Sequence, residues 1–244
     1  MTNRHISGRG RWSKRIPDPI ASLYASDVYH LDAGKGYTDI GGGRISAWVD
    51  RSKAVTFVRG GAGNEPLLIT SATPSGRNAM QMDSTSRFFT ATLPDLFSTS
   101  ALTVAAVVKE MTGTQWWFRA NAGTTEFHQL RSNAGNHQYM ATGSVTITGP
   151  ASDFANYHVY VWQLAAASFG GALTTKLMYK DGVSQSLTGS PNFPGVLGDN
   201  GQLRIGQNTV SGGYIADLIW CEGRLLNERT LTIGLGAKHS IPVV

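Results

Sequence analysis

The stretch Ala101-Leu102-Thr103-Val104-Ala105-Ala106-Val107-Val108-Lys109 (ALTVAAVVK) decides the fold. It holds no Gly, no Pro and no turn former, and its β-branched residues predict a strand. Successive side chains of a strand point to opposite faces. Leu102, Val104, Ala106 and Val108 therefore form one face, and Thr103, Ala105 and Val107 the other. Both faces are apolar, and the second is built from small residues, which predicts a further layer packed close above it. The stretches 157–164 (YHVYVWQL) and 213–221 (GYIADLIWC) are two-sided in the same way.

Outward from these three, the chain alternates short apolar runs with turn clusters. Strands are predicted near 45–49, 55–58, 67–70, 78–82, 87–91, 115–120 and 126–131. More follow near 137–141, 144–148, 174–180, 183–187 and 202–206. Asp181-Gly182 and Asp199-Asn200-Gly201 separate strands, and Asp-Gly suits the positive φ of a tight hairpin. Many short strands with regular turns predict an all-β sandwich or barrel. The one expected helix begins near Leu225–Thr232. Asn227 is its N-cap, and Leu231 and Leu235, four residues apart, would cover one end of the sandwich.

Composition agrees. Charged residues make up 15% of the chain, well below the roughly 25% usual for globular domains, and 29 glycines favour turns over long helices. No run approaches the ~18 apolar residues of a membrane span. The N-terminus has no apolar core of a secretory signal. The single Cys221 excludes an internal disulfide framework and reads as a small buried hydrophobe.

The net charge of +5 has a location. Residues 1–16 carry Arg4, Arg9, Arg11, Lys14 and Arg15 and no acid; the remainder is balanced at 16 basic against 16 acidic residues. With Pro17 and Pro19 closing it, residues 1–20 read as an extended basic arm ahead of one domain, 21–244. Such an arm can be a solvated tail, a nucleic-acid contact or a protein-docking segment. Trp12, flanked by Arg11 and Lys14, favours protein docking, since Trp and Arg dominate interfaces. Nucleic acid is disfavoured, because five charges give only weak, salt-sensitive binding.

Gln115-Trp116-Trp117-Phe118-Arg119 sets two of the six tryptophans side by side. Regular alternation puts Trp116 and Phe118 on one face, in the core, and Trp117 and Arg119 on the other, under a loop or at an interface.

Three blocks carry a family resemblance. LYASDVYHLDAGKGYTDIGGGRISAWVDRS (23–52) is similar to an opening strand, a Gly-rich turn and a strand ending in Trp-x-Asp-x-Ser. PSGRNAMQMDSTSRFF (74–89) and GQLRIGQN with GGYIADLIWCEGRLLNERTLTIGLGAKHSI (201–241) match the later blocks, the last a strand followed by a helix. In this order they resemble the concanavalin A-like lectin/glucanase superfamily, in particular the laminin-G-like jelly rolls of phage and bacterial surface proteins. The resemblance implies a two-sheet antiparallel jelly-roll sandwich with a short C-terminal helix. It implies no single function, because the fold carries lectins, hydrolases and structural modules.

Glucanases of this fold use alternating acids on one strand, which set two carboxylates about 5 Å apart. Here Glu65, Glu110, Glu126, Glu222 and Glu228 each lack a partner at i±2 or i±4, and no Gly-x-Ser-x-Gly elbow occurs. The expectation is therefore no catalysis. Asp83 and Asp199-Asn200 are ordinary turn residues as well as possible calcium ligands. His128 and His137 on neighbouring strands lack the extra ligand of a zinc pair. No cofactor and no metal are expected. For sugar binding, Trp117, Arg119, His128, His137 and Tyr139 form the candidate strip, a flat aromatic ringed by polar groups. The leading reading is a virion protein of a tailed phage, in capsid decoration or the tail. Its arm (Arg4, Arg9, Arg11, Trp12, Lys14, Arg15) would dock on other virion proteins, in a homo-oligomer or lattice, with weak glycan contact, no membrane and a virion localisation. A free lectin and a glycan hydrolase are the alternatives.

Overall fold

The computed structural model describes residues 20, 27–82, 87–93, 99–110, 115–122, 125–133, 135–141, 145–193, 201–208 and 213–244. The basic arm lies outside the described residues, as do Asp83, Asp199 and Asn200.

The chain opens with β1 (Val28–Asp32), β2 (Tyr37–Asp39), β3 (Ile45–Val49), β4 (Thr56–Arg59), β5 (Leu67–Ile69) and β6 (Ala79–Met82). There follow β7 (Phe89–Leu93), β8 (Ala101–Lys109), β9 (Gln115–Ala122), β10 (Thr125–Asn133), β11 (Asn136–Ala141) and β12 (Val145–Ala151). β13 (His158–Ala166), β14 (Leu173–Lys180), β15 (Val183–Ser184), β16 (Gly201–Asn208), β17 (Gly213–Glu222) and helix α1 (Glu228–His239) complete it. All named strand pairs are antiparallel. An eight-stranded sheet runs β15-β14-β13-β8-β17-β6-β5, with β1 also on β17, and a nine-stranded sheet runs β12-β11-β10-β9-β16-β7-β4-β3-β2. This is the two-sheet sandwich expected from the sequence; β1 is the opening strand that the first resemblance block implies, and β2 is a further strand beyond those predicted.

The two faces of β8 separate as predicted. Leu102, Val104, Ala106 and Val108 belong to the core between the sheets, with Trp48, Phe57, Phe118, Trp162 and Trp220. Ala105 and Val107 belong to a second core with Val159, Val161, Ile219, Leu231 and Leu235. The extra layer is α1, which lies across β13 and β8. Small residues beneath it let the helix approach closely. Asn227 caps it as expected, accepting a hydrogen bond from the Thr230 amide at 2.8 Å.

The last turn of α1 is fixed by charge. Asp32 on β1 and Asp217 on β17 are direct register partners, an arrangement that costs stability between like charges. Lys238 of α1 places its ammonium 3.0 Å from Asp32 and 2.9 Å from Asp217. His30 Nε2 lies 2.5 Å from Asp217, His239 Nε2 bonds the other carboxylate oxygen, and Arg51 reaches Asp32 at 3.1 Å. Burial alone would raise the Asp217 pKa; Lys238, His239 and His30 together hold it well below the usual carboxylate range. His30, Asp32 and Asp217 are close enough to share a metal ion, but the Lys238 ammonium already sits between the two carboxylates. The Trp-x-Asp-x-Ser end of β3 steadies this corner. Trp48 Nε1 donates to the Asp32 carbonyl at 3.0 Å, and Asp50 accepts from the His30 amide.

One strand departs from regular alternation. In the β9/β10 pair, Leu130 opposes Phe118 but Arg131 opposes Trp116, so Trp117 is the extra residue of a bulge. Trp117 and Phe118 therefore both enter the core, and the expectation of Trp117 on the outer face is corrected. Across β16, Gly206 takes φ +71°, and a Cβ there would lie 2.4 Å from Met82 Sδ. The Asp181-Gly182 hairpin has positive φ at both residues, 51° and 87°, as its sequence predicts.

Asp217→Asn should destabilise the fold by about 3–5 kcal/mol, because it leaves Lys238 and two histidines around a neutral group in a buried site. In a thermal melt this corresponds to a loss of roughly 10 °C; an unchanged midpoint would show that the corner does not hold the helix.

Candidate binding face

Because α1 covers the outer side of the eight-stranded sheet, the outer side of the nine-stranded sheet is the candidate face; on it Gln129 and Asn121 are buried, and Arg119, Arg131, Arg204, Gln138 and Gln202 are half-buried. Its residues alternate with core residues. On β16, Leu203 and Ile205 are buried while Gln202 and Arg204 face outward; on β11, His137, Tyr139 and Ala141 are buried while Gln138 and Met140 are half-buried.

Register lines these outward residues into rows. One runs Val58, Thr90, Arg204, Arg119, Gln129, Met140, Thr146 across six strand pairs. A second joins Arg131, Gln138 and Thr148, and a third Thr92, Gln202 and Asn121. The face is thus a band of arginines, amides and threonines. Arg204 and Arg119 are directly opposed, which is repulsive; burial and then the Arg204 charge push the Arg119 pKa below the usual arginine value. Arg204 Nε donates to Gln202 Oε1 at 2.8 Å, and its guanidinium lies 5.2 Å over the Phe88 ring. Arg131 Nε donates to Gln138 Oε1 at 3.0 Å.

The strip predicted from sequence divides at the sheet. Arg119 lies on the outer face. Trp117, His128, His137 and Tyr139 point into the sandwich and are buried, so they present no ring to a sugar. His128 Nδ1 and the Tyr139 hydroxyl are hydrogen-bonded at 2.8 Å inside the core. Arg131, Arg204, Gln138 and Gln202 were missed. Their signal in the sequence is alternation, as in Leu203-Arg204-Ile205, and not an aromatic residue.

A second group lies inside. Glu110, just past β8, approaches His137 at 3.3 Å, and both are fully buried. Trp117 and Tyr160 pack on His137, with ring centroids 5.2 and 4.3 Å away. The hydroxyls of Ser132 and Ser152 lie beside the carboxyl, yet neither they nor the carboxylate oxygens and both His137 nitrogens complete a hydrogen bond among the described residues. Burial raises Glu110 to about 7 and lowers His137 to about 3. The pair is an acid poised near neutrality beside a neutral imidazole, sealed from any large substrate.

No protein-family model matches the sequence, and no curated protein matches it. Solved structures share the fold. A Trypanosoma rangeli sialidase in complex with sialic acid is similar over 90% of this chain, with TM-score 0.59 and 15% identity. The binding domain of Paraclostridial Mosquitocidal Protein 1 is similar over 86%, with TM-score 0.60 and 8% identity, and a receptor-binding domain over 90%, with TM-score 0.57 and 8% identity. The chain spans 34% of the sialidase and 52% of each binding-domain chain. These likenesses are to the fold, a two-sheet antiparallel β-sandwich. They correct one expectation. Absence of a paired-acid motif was read as absence of catalysis, but this sandwich also occurs within an enzyme's chain, so that exclusion does not stand.

The Glu110 proton makes stability depend on pH. A carboxyl raised from 4.5 to about 7 keeps its proton in the fold longer than in the unfolded chain, so its contribution is full below pH 4.5 and lost as pH rises through 7. Glu110→Gln should remove this decline. Between pH 4.5 and 8 the variant should gain on the wild type by on the order of 3 kcal/mol in urea unfolding. His128 and His137, both lowered to about 3 by burial, act in the opposite sense between pH 3 and 6.5 and are common to both proteins. Parallel curves would contradict the assignment.

Proposed function

We propose that this chain is a carbohydrate-binding β-sandwich whose ligand lies across the outer face of the nine-stranded sheet. The observation that carries the reading is the cross-strand band of Arg119, Arg131, Arg204, Gln138 and Gln202. These are long, half-buried hydrogen-bonding side chains on one sheet, and the opposite outer face is taken by α1. The fold's likeness to a sialidase and to two binding domains supports the class of activity without naming a ligand.

A second reading concerns attachment. Five cations and no acid in residues 1–16, against a balanced remainder, favour an arm that grips an acidic partner. We place that partner in a phage virion, on the capsid or tail, with the sandwich displayed outward. Charge-assisted hydrogen bonds from Arg4, Arg9, Arg11, Lys14 and Arg15, with Trp12 as an aromatic anchor, would hold it there.

A glycan array should show binding that falls at least about tenfold in Arg131→Ala/Arg204→Ala, the size expected for lost charged hydrogen bonds. Trp117→Ala should cost about 3–5 kcal/mol of stability through a core cavity, and correctly folded variant should still bind. No glycan binding by the wild type would end the first reading. Deleting residues 2–16 should abolish attachment to particles at an unchanged melting temperature; full occupancy by the deletion would end the second.

A further inference from the structure

We infer that the ligand of this face is an acidic glycan, its carboxylate or sulfate held between Arg131 and Arg204; this rests on the carbohydrate-binding reading above.

Three observations lead there. The first is the register. Arg204 and Arg119 are direct partners across β16/β9, and Arg131 stands two positions from Gln129, the partner of Arg119, on β10. Three arginines therefore stand on adjoining strands of one face, two of them directly opposed although like charges set opposite cost stability. The rest of the chain past the arm is balanced in charge, so this is a local concentration and not the side effect of a basic surface.

The second is the way two of these arginines are held. In each, Nε donates to a glutamine side chain, Arg131 to Gln138 at 3.0 Å and Arg204 to Gln202 at 2.8 Å. Among the described residues neither makes another hydrogen bond. An arginine has five N–H donors. Tying down Nε fixes the plane of the guanidinium and leaves the Nη donors as a fork, the geometry that matches a carboxylate or sulfate through two parallel bonds. The ligands of both arginines are neutral amides, so neither charge is cancelled by its anchor. Gln138 and Gln202 are positioning residues.

The third is what the face does not offer. Neutral sugars are held by stacking their apolar side on a flat ring. Among the described side chains, Trp48, Phe57, Phe89, Trp117, Phe118 and Tyr139 all lie in the core, and Phe88 is overlaid by Arg204. The recognition chemistry of the described side chains on this face is charge and hydrogen bonding.

The test uses the whole 244-residue chain, so that the basic arm is the same in every arm of the experiment. Calorimetric titrations would compare sialyllactose with lactose, and oligogalacturonate with its carboxyl-reduced form. The acidic member of at least one pair should bind about tenfold or more tighter, and Arg131→Gln/Arg204→Gln should erase that preference. Arg→Lys at both sites should recover only part of it, because lysine keeps the charge without the fork. Gln138→Leu and Gln202→Leu should reduce the preference, because the two guanidinium groups lose the amides that fix their planes. Equal binding of acidic and neutral members, or an acid preference that survives the Arg→Gln changes, would overturn the inference and leave carbohydrate binding standing. No binding of any glycan would instead overturn the reading it rests on. Melting curves of the variants, whose changed side chains are half-buried, serve as the folding control.

Discussion

Asp32 and Asp217 face each other across the β1/β17 pair, and Lys238, from the far end of the chain, lies between them. Without a cation in that place the two strands would set carboxylates side by side in a buried corner. His30 and His239 complete the surroundings of Asp217. The consequence reaches beyond the corner. Fixing the last turn of α1 lays the helix over β13 and β8, where Leu231 and Leu235 join Ala105, Val107, Val159 and Val161 in a second core. A sandwich normally has two outer faces; here one is covered by the chain's own helix, and the other carries the arginine rows.

On that remaining side the sheet separates two chemistries one residue apart. Leu130 and Tyr139 fill the interior while Arg131 and Gln138 stand outside. The bulge at Trp117 sharpens the separation. By turning Trp117 inward beside Phe118 it supplies the core with a ring that stacks near Tyr160, 5.0 Å between centroids, and it leaves Arg119 opposite Arg204 on the outside. The buried pair Glu110 and His137 belongs to the same end of the sandwich, near Arg131, through the Ser132/His137 register.

The sandwich itself decides little about activity. It is similar to part of a sialidase and to two binding domains at 15% and 8% identity, a level at which only the path of the chain is shared. What separates such proteins is which side chains stand on the exposed sheet and how they are held. In this chain that is a set of guanidinium groups steadied by glutamines.

The sequence by itself determined the local and periodic features. ALTVAAVVK declared a strand covered on both sides; that the layer over its small face is α1, and not a helix at one end of the sandwich, came from the structure. The span 45–49 matched β3 residue for residue, Asn227 declared its cap and Asp181-Gly182 its turn. Each depends on neighbours within a few residues, where pattern and propensity act. The tertiary structure alone decided the rest. Lys238 reads as an ordinary charge in a last helical turn until Asp32 and Asp217, far away in sequence, are brought beside it. Trp117 reads as outward by alternation, and only the pairing with β10 creates the bulge that reverses it. The arginines of three different strands become one face because register, set by packing of whole sheets, is a long-range property that no single stretch of sequence carries.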